Sequence, residues 1–106
     1  MRLQDRHCSH IPAGTPAMAD SEAQSLLAQL PGWSVREGAL RKAFTFPGYS
    51  ETVAFANAVA WIAGREDHHP DLLVAYQRCE VAFSTHTVKG ISMNDFICAA
   101  KVEALL

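Results

Sequence analysis

A chain of 106 residues, about half of them apolar, has room for one domain around a single core and none for a second. Nine basic residues scattered among eleven acidic ones leave a net charge of -2, with no basic stripe of the kind that holds a phosphate backbone, which argues against nucleic-acid binding. No apolar run approaches the roughly 20 residues of a membrane span, and Cys8, Cys79 and Cys98 lack C-x-x-C spacing behind an N-terminus without a signal-peptide core, so a soluble protein of a reducing cytoplasm is expected.

Residues 1–19 carry Pro, Gly, Ala and His without a sustained apolar period. They are expected to form a loosely ordered tail contributing little core, with the folded domain over 20–106. His7, Cys8 and His10 have the chemistry to capture a metal, although a mobile segment is the simpler reading of the tail. Ser21 and Gln24 have capping-box spacing, Ala23, Leu26, Leu27 and Leu30 share a helical face, and Pro31 halts a first helix. Trp33 and Val35, the turn Glu37-Gly38, then Leu40, Phe44 and Phe46 predict a hairpin. Lys42 interrupts the apolar row of its second strand, which suggests an edge.

After Pro47-Gly48, Ser50 is placed to cap a helix whose Phe55, Ala58, Val59 and Ile62 form a stripe and which Gly64 is expected to end. Trp61 falls off that stripe, as an exposed interface residue or part of a second packing layer. Leu72–Tyr76 and Cys79–Thr85, separated by Gln77-Arg78, predict a second hairpin. Ser92 and Asp95 have helix-start spacing, and Met93, Phe96, Ile97, Ala100 and Ala104 carry one face of a last helix. Both long helices follow hairpins, so the expected fold is α+β, a two-layer sandwich in which helices cover one face of a four-stranded antiparallel sheet.

The stretch EDHHPDLLVAY, residues 66–76, sets two imidazoles between carboxylates. Pro70 biases His69 toward extended geometry, and successive side chains of an extended segment point to opposite sides, so a bend is needed for His68 and His69 to reach one ligand. His86 is expected to end the strand RCEVAFSTH on the less buried side, with Ala82 and Ser84. Antiparallel pairing then brings it near His68 or His69. Imidazole, with an unperturbed pKa of about 6.5, both gives and takes protons near neutrality. Two alternatives stand beside an acid–base pair: hydrogen-bonded strand-end histidines, and a three-histidine zinc site. Against the second, adjacent ligands in an extended chain suit one tetrahedral ion poorly, and no H-E-x-x-H helix occurs. Cys79 and Cys98 fall where packing residues are expected, and no G-x-S-x-G turn supports a hydrolase.

The combination of EDHHPDLLVAY, Cys79-Glu80-Val81, STH at 84–86, Lys89-Gly90-Ile91-Ser92 and NDFICAA at 94–100, with PGW at 31–33 and AFANAVAWIA at 54–63, resembles the pterin-4a-carbinolamine dehydratases over residues 20–106. The resemblance implies an enzyme that removes water from 4a-hydroxytetrahydropterin to give quinonoid dihydropterin, without metal or cofactor. The family's three histidines match His68, His69 and His86. Of these, His68 and His86 are expected to form the acid–base pair and His69 to orient the pterin, with the roles open to permutation. The family's acidic residue matches Asp95, which would either hold an imidazole in its tautomer or cap the last helix. Asp67, Ser84 and Thr85 are further candidates for binding or orienting the substrate. Two departures stand out: Gly64 occupies a position where many relatives carry a carboxylate, for which Glu66 or Asp67 could compensate, and Leu72 one where several carry an aromatic. The resemblance also admits a non-enzymatic role, since some relatives serve as dimerisation cofactors of a transcription factor, and Trp61 would then be a contact. Self-association to a homodimer or homotetramer is expected on either reading.

Overall fold

The computed structural model describes residues 1–106. Its elements run α1 (Asp20–Leu27), β1 (Ser34–Arg36), β2 (Ala39–Thr45), α2 (Tyr49–Glu66), β3 (Asp71–Val74), β4 (Arg78–Phe83) and α3 (Met93–Glu103), with single 3-10 turns at Leu3–Asp5 and His86–Val88. Four antiparallel strands lie in the order β1-β2-β4-β3, and α2 and α3 pack on the sheet and on each other. This is the α+β sandwich that the alternation of hairpins and amphipathic helices predicts.

The first hairpin closes through Glu37 and Gly38, both at positive φ (52° and 74°), the mirror-image two-residue turn whose twist suits paired strands. Its second strand is interior, not an edge: β2 pairs with β1 on one side and with β4 on the other. Lys42 occupies the helix-facing row because its long stem lets the ammonium leave the core. That ammonium reaches Glu103 of α3 and the Pro31 carbonyl and lies 4.8 Å from the Phe44 ring centre. Leu40, Val81, Phe83, Val59, Phe96 and Val102 have no exposed surface, and each large apolar side chain so buried contributes about 1.5–3 kcal/mol. Trp33 meets Phe44 edge-on at 5.9 Å, and Phe44 and Phe46 both pack on Phe55.

Four element ends differ from the sequence expectation. Ala19 is the N-cap of α1, so the Ser21–Gln24 box does not form. α2 is capped at Gly48 instead of Ser50 and runs past Gly64 to Glu66. It stops where Asp67 turns left-handed (φ 51°, ψ 44°) and its amide bonds the Ala63 carbonyl, a conformation a short polar residue tolerates. β4 ends at Phe83, which leaves His86 in the following 3-10 turn.

Residues 1–19 are mostly irregular yet tied down. Leu3 joins the core, Lys101 donates to the Gln4 carbonyl (3.0 Å), and the Met18 amide donates to the Ile91 carbonyl (2.8 Å). A radius of gyration of 13.4 Å, against about 13 Å for a compact chain of this size, includes that segment folded back on the sandwich. No helix is long and apolar enough to cross a membrane.

Candidate active site

The left-handed turn at Asp67 supplies the bend that two neighbouring histidines need. It reverses the chain, with the His68 amide on the Ala63 carbonyl (3.2 Å), and swings His68 inward until its side chain is 12% exposed. The imidazole lies parallel to the fully buried Phe83 ring, centres 6.1 Å apart. His69 follows on the surface, and Pro70 leads into β3.

On the neighbouring strand the chain leaves β4 and closes a short loop, in which the Thr85 amide bonds the Gly90 carbonyl (2.8 Å). Val88 is buried and anchors the loop, while His86 and Thr87 are exposed on it. Because Asp71 pairs with Ala82, the chain entering β3 runs beside the chain leaving β4. Between them lies a concavity of about 370 Å³ lined by Asp67, His68, His69, Ser84, Thr85 and His86 among others. The three histidines matched by the resemblance and the candidates Asp67, Ser84 and Thr85 therefore border one hollow, and Asp95 stands behind it with no exposed surface.

Asp95 joins the hollow to the fold. One carboxylate oxygen is 2.6 Å from His68 Nε2; the other accepts the Thr85 hydroxyl (2.8 Å) and the Ser92 amide (2.8 Å), and the Ser92 and Thr85 hydroxyls are 2.7 Å apart. An ionised carboxylate only accepts, so a neutral imidazole in this contact donates from Nε2 and leaves Nδ1 as its acceptor. Asp95 thus contacts the imidazole with one oxygen and caps α3 with the other. Such a fully satisfied buried network fixes geometry firmly.

Glu66, one of the two carboxylates expected to compensate for Gly64, is engaged by the N-terminal segment. Its side chain, 7% exposed, accepts the Cys8 amide (2.7 Å) and lies 2.9 Å from His7 Nδ1 and 3.8 Å from Lys101 Nζ. Burial alone would raise this carboxyl, but the Cys8 amide, His7 and Lys101 together outweigh it and hold it below its ordinary value. Asp67 remains on the rim of the hollow, exposed. Leu72 packs against the core instead of lining the hollow.

A second concavity, about 390 Å³, lies on the other side of His68 and shares Asp67, His68, Thr85 and Thr87 with the first. Its far wall is Cys8, Ser9, His10 and Ile11. Asn94, buried on α3, clamps that wall: its amide oxygen takes the Ser9 amide (3.1 Å) and its NH2 gives to the Ser9 carbonyl (2.9 Å). Cys8 Sγ sits 3.5 Å from Cys98 Sγ. In the sequence Cys8 and His10 stood out only as possible metal ligands of a mobile tail, and Asn94 only as part of the NDFICAA run, so nothing there pointed to the clamp between them.

The family model described as pterin 4 alpha carbinolamine dehydratase matches residues 16–105. Among curated proteins, one from Stenotrophomonas maltophilia is 57% identical over 97% of this chain and 90% of its own length, and one from Chromobacterium violaceum is 50% identical over 99% and 96%. Both bear the name "Putative pterin-4-alpha-carbinolamine dehydratase". A crystal structure of a transcriptional coactivator/pterin dehydratase from Brucella melitensis superposes with a TM-score of 0.80 at 31% identity, covering 84% of this chain and 97% of that one. A pterin dehydratase-like protein identified as a RuBisCO assembly factor in the alpha-carboxysome shares the fold, with a TM-score of 0.61 at 24% identity over 72% and 90%.

Proposed function

Since the chain belongs to the pterin 4 alpha carbinolamine dehydratase family, we propose that it dehydrates 4a-hydroxytetrahydropterin to quinonoid dihydropterin by histidine acid–base catalysis, in the recycling of a tetrahydrobiopterin-type cofactor. The observation that carries the reading is the single hollow bordered by His68, His69 and His86, with His68 braced from behind by Asp95.

The reaction breaks the C4a–O bond, forms the C4a=N5 double bond and removes the hydrogen of N5. Hydroxide leaves slowly unless it is protonated as it departs, and N5 must shed its proton to supply the electrons. His68, whose Nε2–H is held by Asp95, offers Nδ1 as the acceptor for the N5 proton. His86, facing the same hollow from the adjacent loop, gives a proton to the departing oxygen, so the products are the quinonoid ring and water. His69 orients the heterocycle, with Asp67 and Ser84 in reach of its polar edge and Thr85 holding Asp95 in place. The chemistry calls for no metal or cofactor beyond these groups.

The protein acts in the cytoplasm on this reading, and assembles with copies of itself as a homodimer or homotetramer. The free edge of β3, with Leu73, Val74 and Tyr76 exposed, supports that assembly. A non-enzymatic reading, as a dimerisation cofactor, draws support from the coactivator half of the Brucella protein's name and from Trp61, 65% exposed on α2. Stopped-flow dehydration by the wild type and by His68→Ala, His69→Ala and His86→Ala decides between them. Losses of about 10²- to 10⁴-fold in kcat are expected for His68 and His86; full turnover in His86→Ala would refute its assignment.

A further inference from the structure

Two thiols that the proton transfers do not use meet where the N-terminal segment docks on α3. Cys8 Sγ and Cys98 Sγ lie 3.5 Å apart, from positions 90 residues apart in the chain, and both are free. A disulfide holds its sulfurs at about 2.05 Å, so bonding them calls for an approach of about 1.5 Å. Cys8 can supply it, because it sits on an irregular segment, whereas Cys98 is fixed within α3 and has no exposed surface. Cys79 is buried on β4, outside this pair.

The two sulfurs differ in access. Cys8 is partly exposed and borders the concavity of about 390 Å³ beside His68, where a small oxidant meets its sulfur; Cys98 lies behind it. The Cys8 thiol donates to the Asn94 carbonyl (3.5 Å), which leaves the Cys98 hydrogen to point at Cys8 Sγ. A peroxide therefore oxidises Cys8 first: the sulfur takes one oxygen, hydrogen peroxide is reduced to water, and Cys8 becomes a sulfenic acid. The Cys98 sulfur then bonds to Cys8 Sγ as the S–O bond breaks. Its hydrogen bond to Cys8 and its burial hold the Cys98 thiol protonated, and the departing hydroxide takes that proton and leaves as water. A dithiol reverses the bond by exchange, returning a hydrogen to each sulfur and itself becoming a disulfide.

We propose that Cys8 and Cys98 form a disulfide, made by peroxide and undone by dithiols, that ties the N-terminal segment to α3. In the reduced protein the segment beside the concavity is held by hydrogen bonds, from the Cys8 amide to Glu66 and between Ser9 and Asn94. Oxidised, it carries a covalent tether on the helix that also bears Asp95, and the wall beside His68 no longer depends on the Glu66 contact. The tether closes a loop spanning 90 residues, and long loops lose the most unfolded-state freedom when cross-linked. In a reducing compartment such a bond is transient and senses oxidation.

The test exposes the reduced full chain to hydrogen peroxide, blocks the remaining thiols with N-ethylmaleimide in denaturant and maps the peptides by mass spectrometry. The expected product joins the Cys8 and Cys98 peptides within one chain and leaves Cys79 alkylated. Its Tm is raised by about 8 °C or more, protection of residues 7–11 against hydrogen exchange increases, and dithiothreitol reverses every change. Cys8→Ser alters a partly exposed position, so it is expected to melt like the reduced wild type and to show no response to peroxide. In Cys98→Ala, dimedone should capture the sulfenic acid at Cys8, which in the wild type Cys98 consumes. Thiols untouched by peroxide, a link between chains or through Cys79, sulfinic acid at Cys8 beside a free Cys98, or a Cys8–Cys98 bond that leaves Tm and exchange unchanged would each overturn the tether.

Discussion

Asp95→Asn separates the two duties of the buried carboxylate. Asparagine preserves the shape and one oxygen. If that oxygen stays on the Ser92 amide and the Thr85 hydroxyl, at 2.8 Å each in the native protein, the new NH2 faces His68 Nε2. Two donors then meet at 2.6 Å unless the imidazole moves its hydrogen to Nδ1 and accepts at Nε2. The helix cap survives, but His68 is locked in the tautomer that has no lone pair at Nδ1. Loss of the charge-assisted bonds is expected to cost about 1–3 kcal/mol of stability, roughly 4–8 °C in Tm per kcal/mol for a domain of this size. Turnover should fall by about 10²- to 10⁴-fold, the contribution of a general base. The assay is stopped-flow dehydration with Asp95→Asn, His68→Ala and the double variant, alongside thermal melts of each. Because Asp95 acts through His68, the substitution should change kcat little once His68 is alanine. An equal fold-loss in both backgrounds, or wild-type kcat in Asp95→Asn, would refute the tautomer argument.

Three other predictions follow from the surrounding structure. Glu66, held below its ordinary carboxyl value against the pull of burial, carries fewer protons folded than unfolded. Its stabilisation is present above the unfolded value of about 4.3 and lost as pH falls through the folded one; protection of residues 7–9 against hydrogen exchange, relative to the intrinsic rate at each pH, should therefore fall on acidification below that unfolded value in wild type and much less so in Glu66→Gln, and identical profiles would exclude the mechanism. The Cys98 thiol is pushed far up by its hydrogen bond with Cys8, by burial and by nearby Glu66 and Asp95, and the Cys79 thiol by burial. Both keep their protons when the unfolded chain loses them above about pH 8.5, so they lower stability as pH rises past that point, and iodoacetamide at pH 8.5 followed by mass spectrometry should label them only after denaturation. Gly38→Ala should cost about 1 kcal/mol in urea unfolding, since φ is +74° and the space around it is open; an unchanged midpoint would show that the turn relaxes.

The strands and the long helices were readable because each shows a single face to one core. Cys79, Val81 and Phe83 alternate into it, and Phe96 and Ile97 share the inner stripe of α3. Glu37-Gly38 announced its turn through chemistry that few other conformations use. Lys42 misled, because its position in the apolar row describes where the stem lies and says nothing of where the ammonium ends; only the partner on α3, Glu103, explains it. Gly64 misled in the opposite sense. A glycine marks a helix end only if the chain turns left-handed there, and the turn falls instead on Asp67. The histidine trio was legible through antiparallel pairing, whereas the 8–11 wall was not. Its docking depends on the Glu66 carboxylate and the Asn94 amide, contacts across more than fifty residues that no local period records.

The two imidazoles assigned to the chemistry sit in unlike settings, and the proposed reaction gives a reason for the difference. One turnover leaves His68 protonated and His86 neutral, so the next requires the pair to be reset. His68, packed on Phe83 and braced by Asp95, is suited to meeting N5 at a fixed angle and in a fixed tautomer, which water around it would degrade. His86, exposed on the Thr85–Gly90 loop, is suited to recovering its proton from solvent. Burying both would slow the reset; exposing both would lose the tautomer. On the proposed mechanism Asp95 also makes the first residues of α3 part of the reaction: its second oxygen holds the Ser92 amide, so fraying of the helix start would release the carboxylate that contacts His68. Substitutions that loosen this end of α3 without touching the hollow should then lower kcat before they unfold the protein, whereas equally destabilising changes at the β1–β2 turn should leave kcat alone. The comparison of Ser92→Gly with Gly38→Ala at matched stability decides it, and equal kcat in the two would mean that the cap and the imidazole are independent.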